Sequence, residues 1–501
     1  MSIDSSRSDD FYDAEEAVEN ANQILSIRHS DETLGEKDDF YSDEESTTSS
    51  DAGGAMASGK DASPVWRGAS ALFPPIPKAL TPSSIPTVKY RDTMLPPRQP
   101  PPSIIGFLRK NAGKDLSTVA MPVTANEPTS LLQRLAEPLE NAHLLTQASA
   151  LAGESNSLER LVLIAAFAIS TFSSNRVKER AVRKPFNPML GETFELVRHE
   201  KDQEALPTYR FVAEKVSHHP VRMAWQANSL SGKWSLAQSP RPVQKFWGKS
   251  VELNTDGKMR LSLHSGPDAK SPQMNGSGHG KAASEYYSWT QPTTYLRNVL
   301  AGEKYVEPVG SLTINDETTG AKAVATFKTS GMFSGRSEDV SVAFFNPGSS
   351  TPLGISLTGK WTSALIRSDT NTEVWRVGPL TADAHKSWGF PIFSARLNEI
   401  TPIEGGKMAP TDSRLRPDQR AFEEGQLDKA EGLKAKLEER QRSRRKVLES
   451  HGGTYSPRFF HKLETESEED EEVWQLKAGR EGYWECRERG DWKDTVEIFE
   501  V

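Results

Sequence analysis

The sequence predicts an α+β protein in which a large antiparallel β-sheet or barrel lies between N-terminal helices and a long C-terminal helix. Three stretches support this prediction. Apolar residues recur at helical spacing from 127 to 180, short alternating runs rich in Thr, Val, Phe, Tyr and Trp follow up to about residue 400, and a second helical pattern covers 417–449. Many short alternating strands are typical of an antiparallel sheet or barrel.

Two stretches differ in composition from this body and are predicted to be disordered. Residues 1–60 hold sixteen acidic and four basic residues, a net charge of −12 within a chain whose total is −8, and LPPRQPPPS at 95–103 is a stiff proline-rich linker. We therefore predict a disordered acidic and proline-rich tail over 1–100 and a folded domain over 101–500. Within that domain, the low-complexity stretch 265–284 is predicted to be a disordered insertion.

Charge and cysteine content limit the classes of protein that the chain can belong to. Residues 61–501 carry a net charge of about +4, which suits an anionic membrane surface or a phosphorylated ligand and does not require nucleic acid. The single cysteine, Cys486, excludes a disulfide framework and fits a cytosolic protein. We expect no signal peptide, and the apolar run Leu161–Ile169 is too short to span a bilayer.

A short apolar stretch follows the proline-rich linker. Its large side chains are those of Ile104, Ile105, Phe107 and Leu108. Such a cluster on a polar approach predicts a lid or an interfacial segment, and a segment packed permanently on the core is an equal alternative.

The most informative motif is Glu214–Pro220, which contains adjacent histidines at the end of a predicted strand. Successive side chains of a strand point to opposite faces, but a turn before Pro220 would let His218 and His219 converge on one phosphate. Ordinary structure is the alternative reading. A zinc site is disfavoured because the sequence offers no third ligand at metal spacing. A hydrolase that uses Ser217 is disfavoured because no recognisable nucleophile motif surrounds that serine.

Two further segments can supply cations and polar groups. The breaker-rich turn from Lys184 to Phe194 can aim Lys184 and Asn187 at one point, although the segment taken alone favours a plain connector between helix and strand. Lys434, Glu438 and Arg442 follow one another at four-residue intervals and therefore form one row along a helix. That row is either an exposed ladder of ion pairs or one wall of a phosphate site.

In this order and separation, the three segments resemble the oxysterol-binding-protein-related family, whose signature reads Glu-Gln-Val-Ser-His-His-Pro-Pro. The resemblance covers about residues 103–500 and includes the start of the long helix at Arg416-Pro417-Asp418. Two positions depart from the signature, since Lys215 replaces Gln and Val221 replaces the second Pro.

The resemblance implies a large, near-closed β-barrel with a lipid tunnel, a flexible lid and no catalytic residue, metal or cofactor. It implies a lipid-transfer protein that binds phosphatidylinositol 4-phosphate and exchanges it for a second lipid, sterol or another, between the endoplasmic reticulum and another membrane. A sensor or scaffold without net transport is the alternative, and a hydrolase is a third reading. The implied headgroup contacts are Lys184, Asn187, His218, His219, Lys434, Glu438 and Arg442.

The tail contains a stretch that resembles an FFAT motif, the two-phenylalanines-in-an-acidic-tract motif bound by VAP proteins of the endoplasmic reticulum. Its residues are Asp10, Phe11, Tyr12, Asp13, Ala14, Glu15 and Glu16. A near copy at 39–45 has Ser42 in place of Asp13, and we hypothesise that phosphorylation of Ser42 restores the missing charge. The motif implies a cytoplasmic protein located peripherally at endoplasmic reticulum contact sites.

Overall fold

The computed structural model describes residues 70–75, 88–103, 121–151, 156–198, 209–264, 284–329, 335–464 and 471–501. All of them belong to the unit that runs from Gly68 to Val501. The FFAT-like stretches at 10–16 and 39–45, the predicted lid residues 104–108 and residues 265–283 of the predicted insertion lie outside the described residues. Ser284, the last residue of that insertion, begins a strand.

Within the described residues, twenty strands form four sheets. The strands before residue 265 are β1 (Asn126–Ser130), β2 (Lys184–Phe186), β3 (Thr193–Arg198), β4 (Tyr209–Ser217), β5 (Arg222–Ser229), β6 (Trp234–Gln238), β7 (Arg241–Phe246), β8 (Val251–Asp256) and β9 (Met259–His264). Those after it are β10 (Ser284–Trp289), β11 (Thr294–Arg297), β12 (Tyr305–Pro308), β13 (Gly310–Asp316), β14 (Lys322–Phe327), β15 (Asp339–Phe345), β16 (Ser356–Lys360), β17 (Ala364–Arg367), β18 (Glu373–Arg376), β19 (Phe460–Lys462) and β20 (Trp474–Leu476).

The dominant sheet has twelve strands in the order β18-β17-β16-β15-β14-β13-β10-β9-β6-β5-β4-β3. Its neighbours pair antiparallel, and the two interruptions of the chain order arise because β7, β8, β11 and β12 leave it to form a separate four-stranded sheet. The predicted large antiparallel sheet is therefore confirmed. In the described part of the chain the end strands β3 and β18 do not pair with each other, so closure into a barrel stays a prediction.

Seven α-helices accompany these sheets in the described residues. They are α1 (Leu131–Arg134), α2 (Ala142–Ala150), α3 (Ser157–Ser170), α4 (Ile392–Arg396), α5 (Pro417–Glu423), α6 (Leu427–Ser450) and α7 (Tyr483–Arg489). Helix α3 packs against β13, β14 and β18, and its apolar side chains are buried on nearly all sides, as with Phe167 against Trp289. The stretch Ser157–Asn175 is long and apolar enough to cross a membrane, but most of it is buried in this core.

The C-terminal helical pattern forms two helices rather than the single one predicted. The break falls at Gly425, whose φ of +75° belongs to the left-handed region that ends a helix, so that α5 stops at Glu423 and α6 starts at Leu427. A Cβ at Gly425 would lie 2.6 Å from the Arg98 Nε atom, so the Arg98 side chain would have to move to admit a larger residue. The predicted end of the helix is confirmed, because α6 ends at Ser450, just before Gly452.

Two stretches of the predicted disordered tail pack against the domain, 70–75 and 88–103. We call residues 88–103 the proline-rich strap. Its Arg91 guanidinium lies 2.7 Å from the Glu423 carboxylate and donates to the Ala395 carbonyl, while the Leu95 carbonyl accepts from the indole of Trp388. The expectation of disorder is not met for these stretches, because backbone groups of the tail find partners on the domain instead of water.

Candidate functional site

Strand β2 and the turn that follows it place the first two predicted site residues, Lys184 and Asn187. Strand β2 pairs in parallel with β1, and the Asn126 amide donates to the carbonyls of Lys184 and Pro185 at 3.2 and 3.1 Å. The Arg416 guanidinium then donates to the Asn187 carbonyl at 2.6 Å and to the Glu192 carboxylate at 3.2 Å. Asn126 therefore fixes the backbone at Lys184, and Arg416 fixes it at Asn187.

Arg416 is itself held rigidly, since it is buried and donates twice to Asp418 at 2.8 and 2.9 Å. Paired guanidinium and carboxylate groups lower each other's desolvation cost only when their hydrogen bonds are satisfied, as they are here. The motif that opens α5 and the motif of the turn are therefore two halves of one buried polar network. This network explains why both belong to the same sequence pattern.

Gly191 occupies a position of this turn that favours glycine. Its φ is +80°, and an added Cβ would lie 2.7 Å from the Tyr455 hydroxyl. The Gly191 amide donates to the Lys215 carbonyl at 3.1 Å, which ties the turn to strand β4.

Helix α6 brings two predicted residues to this turn. The Lys434 ammonium lies 2.7 Å from the Glu438 carboxylate, one helical turn later, and Lys434 is buried. Burial and the nearby Lys434 lower the pKa of Lys184 to about 8, while Glu438 opposes that change. The electrostatic coupling shows that Lys184, Lys434 and Glu438 form one cluster.

The histidine pair lies in the turn between β4 and β5. The rings of His218 and His219 are 4.4 Å apart between centroids and inclined at 66°. Their convergence on one phosphate stays a prediction. The Lys215 ammonium links the pair to the first turn, because it lies 3.1 Å from His218 Nδ1 and donates to the Pro188 carbonyl at 2.8 Å. On the α6 side, Arg445 Nη1 lies 3.0 Å from His219 Nε2.

A cavity of about 340 Å³ opens beside the turn. Lys184 and Asn187 line one part of it, and side chains such as Leu135, Trp225 and Met259 line the apolar part. Strands β8, β11 and β12 of the four-stranded sheet contribute further apolar wall residues. About half of the lining residues are polar or charged, among them Arg134, Arg180 and Arg183. A cavity that combines apolar and polar walls suits a ligand that has both kinds of group.

Arg442 forms an ion pair outside the predicted row. Its guanidinium lies 2.7 Å from the Glu439 carboxylate, the residue beside the predicted row. Two residues that the motif analysis did not propose for the site, Lys215 and Arg445, instead contact the histidines directly. A signal for Arg445 existed, because eleven residues after Lys434 a helix returns to within about 20° of the same face.

A large antiparallel sheet, a cavity with apolar walls and a basic cluster at one side of it define the class of lipid-binding domains that also hold a polar headgroup. The oxysterol-binding protein family model matches residues 103–488. The chain therefore belongs to the oxysterol-binding protein family, whose members bind and transfer lipids and are not enzymes.

Individual relatives agree with this assignment. The oxysterol-binding protein homolog 3 of Saccharomyces cerevisiae (strain ATCC 204508 / S288c) is 43% identical over 399 residues, which cover 80% of this chain and 36% of that protein. The crystal structure of the Osh3 ORD in complex with PI(4)P, from Saccharomyces cerevisiae, is 42% identical, has a TM-score of 0.70 and matches 82% of this chain and 100% of that one.

A second solved structure, the Osh1 ORD domain in complex with cholesterol, is 31% identical with a TM-score of 0.67, and the match covers 82% of this chain and 95% of that one. The chain spans about two fifths of the length of the curated relatives that it matches.

Proposed function

We propose that this chain binds phosphatidylinositol 4-phosphate, with the phosphorylated headgroup at the cluster formed by Lys184, Lys434 and the histidine pair, and exchanges it for a second lipid between two membranes. The observation that supports this proposal best is the cavity, because Lys184 and Asn187 line it together with apolar residues. A ligand that fits both parts must join a charged end to an apolar one.

The headgroup cluster offers the donors that a phosphate requires. Lys184 and Lys434 supply positive charge, the Asn187 amide and the imidazoles supply N–H groups, and phosphate oxygens accept several such bonds at once. Glu438, already 2.7 Å from Lys434, holds that ammonium and can accept from an inositol hydroxyl. We keep Arg442 in the proposed set, where it would have to exchange its Glu439 partner for phosphate.

The cavity accounts for the other end of the lipid. Moving a methylene group from a bilayer into water costs about 0.8 kcal/mol. The protein must offset this cost by burying the acyl chains among apolar side chains. The apolar part of the cavity offers this burial, and a near-closed barrel with a lid formed by Ile104, Ile105, Phe107 and Leu108 would complete it. Barrel closure and lid therefore belong to the proposal.

Exchange requires a second lipid that occupies the same space. Solved relatives hold PI(4)P in one case and cholesterol or ergosterol in others. We propose sterol or another lipid as the counter-ligand, moved against phosphatidylinositol 4-phosphate. The competing function is a sensor or scaffold that loads the lipid and seldom releases it into another membrane.

The place of exchange in the proposal is a contact between the endoplasmic reticulum and another membrane. Its support is the FFAT-like stretch from Asp10 to Glu16, where Phe11 would enter a pocket of a VAP protein and the acidic residues would steer the approach. Ser42 in the second copy would add charge when phosphorylated. The chain would then act as a cytoplasmic protein held peripherally at both membranes.

Transfer of a fluorescently reported phosphatidylinositol 4-phosphate between two liposome populations tests the function. We expect rapid transfer by the native chain and loss of at least about tenfold in a His218→Ala, His219→Ala double variant, since each lost hydrogen bond to a charged group costs about 1.5–3 kcal/mol. The matched control is His385→Ala, His461→Ala, which removes two exposed imidazoles elsewhere on the domain.

The outcomes separate the candidate functions. Lipid that is extracted by the native chain but not delivered to acceptor liposomes would favour the sensor. A native chain that neither extracts nor moves the lipid would refute the headgroup assignment, and equal loss in the control variant would show that the effect is not specific to the histidine pair.

A further inference from the structure

The contact between Lys215 and His218 restricts the chemistry of the histidine pair. The Lys215 ammonium lies 3.1 Å from His218 Nδ1. An ammonium group has only donors, so while Lys215 is charged, His218 Nδ1 must accept and cannot carry a hydrogen. A neutral imidazole carries one ring hydrogen, which then has to be on Nε2.

We propose that Lys215 is a positioning residue that holds His218 as a neutral imidazole with its hydrogen on Nε2, so that His218 offers the headgroup an N–H donor without charge. The inference deepens the proposed function, and its consequence for lipid affinity rests on that function. The protonation state of His218 in the lipid-free chain is independent of the proposed function.

The surroundings of Lys215 keep its ammonium at this position. The side chain is buried, and a second hydrogen bond, 2.8 Å long, runs to the Pro188 carbonyl. The charged groups that act on it are Glu192, which favours its charged form, and Arg416, which opposes it. Burial lowers the pKa of Lys215 to about 8, so the ammonium form still predominates at pH 7.

The groups that face His218 all disfavour a second ring hydrogen. They are Lys215 from β4, the neighbouring His219 and Arg445 from α6. Partial burial, followed by Lys215, lowers the pKa of His218 to about 2. Protonation would also break the hydrogen bond from Lys215, because Nδ1 would become a donor facing a donor.

This arrangement assigns separate tasks to neighbouring residues. Lysine side chains carry the charge that attracts phosphate, whereas His218 contributes a directed hydrogen bond that does not titrate near neutral pH. Glutamine stands at this position in the family signature, and its amide can donate to Nδ1 but brings no charge. The lysine of this chain therefore adds electrostatic control to a hydrogen bond that glutamine would also allow.

Nitrogen-15 NMR of the lipid-free full chain, labelled at histidine, reads this state directly. We expect His218, assigned from the spectrum of a His218→Gln variant, to show an unprotonated Nδ1 and a protonated Nε2 that do not change between about pH 7.5 and 5.5. In Lys215→Met we expect mixed tautomers and a titration midpoint that rises into about pH 5–6.5, towards the ordinary histidine value.

Lys215→Gln separates the hydrogen bond from the charge. We expect it to keep the Nε2–H tautomer and to raise the midpoint by less than Lys215→Met does, and it decides the question alone if the methionine variant does not fold. The control is Lys477→Met, which removes an ammonium that donates to the carbonyls of Pro457 and Arg458 and should leave His218 unchanged.

Affinity for liposomes containing phosphatidylinositol 4-phosphate gives the second readout. The lipid phosphate titrates in the same way for the native chain and for Lys215→Met. The ratio of the two Kd values therefore reports only the pH dependence that comes from the protein. We expect the affinity of Lys215→Met relative to the native chain to improve by about threefold from pH 7.5 to 5.5, as His218 gains charge.

A His218 ring that keeps its tautomer and its midpoint in both Lys215 variants would overturn the proposal. Failure of the proposed function is distinguishable from this result, since a chain that binds no phosphatidylinositol 4-phosphate would still show the NMR signature of the neutral Nε2–H form.

Discussion

At the scale of single residues, Lys184 links the cavity to the headgroup cluster and makes lipid affinity depend on pH. Its pKa is lowered to about 8 by burial and by Lys434. A bound phosphate favours the ammonium form and so raises the pKa of Lys184 in the complex. The affinity is therefore fully present below about pH 8 and is lost as the pH rises through that value, because binding must then take up a proton.

We expect the Kd for phosphatidylinositol 4-phosphate in liposomes to rise by up to about tenfold from pH 7 to 9, the effect of one proton taken up above its pKa. Lys184→Arg keeps the charge at all these pH values and should flatten the profile, even if its affinity at pH 7 is lower. Identical slopes for the native chain and Lys184→Arg would show that Lys184 does not contact the phosphate.

At the scale of elements, the turn between β2 and β3 depends on one glycine, and the chain offers a matched comparison. Gly191 and Gly248 have nearly the same φ, +80° and +81°, but an added Cβ meets the Tyr455 hydroxyl at 2.7 Å in the first case and nothing within 4 Å in the second. Left-handed backbone costs a residue with a Cβ about 1–2 kcal/mol at either position.

We expect Gly191→Ala to lower the free energy of unfolding by more than Gly248→Ala, by at least about 1 kcal/mol, as overpacking adds to the backbone cost. Since the turn carries Asn187 and follows the strand that carries Lys184, Gly191→Ala should also weaken lipid binding, whereas Gly248→Ala should not. Urea denaturation and liposome binding measure the two effects. Equal losses of stability in both variants would mean that Tyr455 moves aside without cost.

At the scale of the whole molecule, the sequence predicts features that depend on local periodicity. Strands β14 and β15 show the alternation of buried and exposed residues from which they were predicted, and α3 is apolar on nearly all sides because it lies in the core. Strands β3 to β5 are buried on both faces. Their outer face is covered by residues such as Phe459 and Tyr483, which lie more than 200 positions away in the sequence. A local sequence pattern cannot predict such a contact.

The candidate site shows the same division between local and distant information. Adjacent histidines before Pro220 and the row from Lys434 to Glu438 are visible as motifs because their spacing is short. The contact between Arg445 and His219 joins two elements that are 226 residues apart. Helical spacing could place Arg445 on the right face, but only the packing of α6 against the histidine turn shows what that face meets.

The proline-rich strap is a further case of contacts between distant parts of the chain that no local sequence pattern predicts. These contacts lead to a prediction about stability. Arg91 donates to Ala395 and lies 2.7 Å from Glu423, a carboxylate that is only 11% exposed, while Met94 packs against a hydrophobic cluster that includes Trp388 and Phe422. The strap thus joins the region before the sheet to helices α4 and α5, which follow it. Such contacts act as cross-links between distant parts of the chain and stabilise the folded state only while both ends are held.

We expect Met94→Ala to lower the free energy of unfolding by about 1–3 kcal/mol, less than for a fully buried methionine because this one is half-buried. Leu95→Ala is the control, since the Leu95 side chain is 59% exposed and its contribution, the carbonyl that accepts from Trp388, is retained by alanine; it should change stability by less than about 0.5 kcal/mol. Urea denaturation of the full chain compares the two. If Met94→Ala is as mild as Leu95→Ala, the strap lies on the domain without stabilising it, and the sequence-based prediction of a disordered tail would regain its force for residues 88–100.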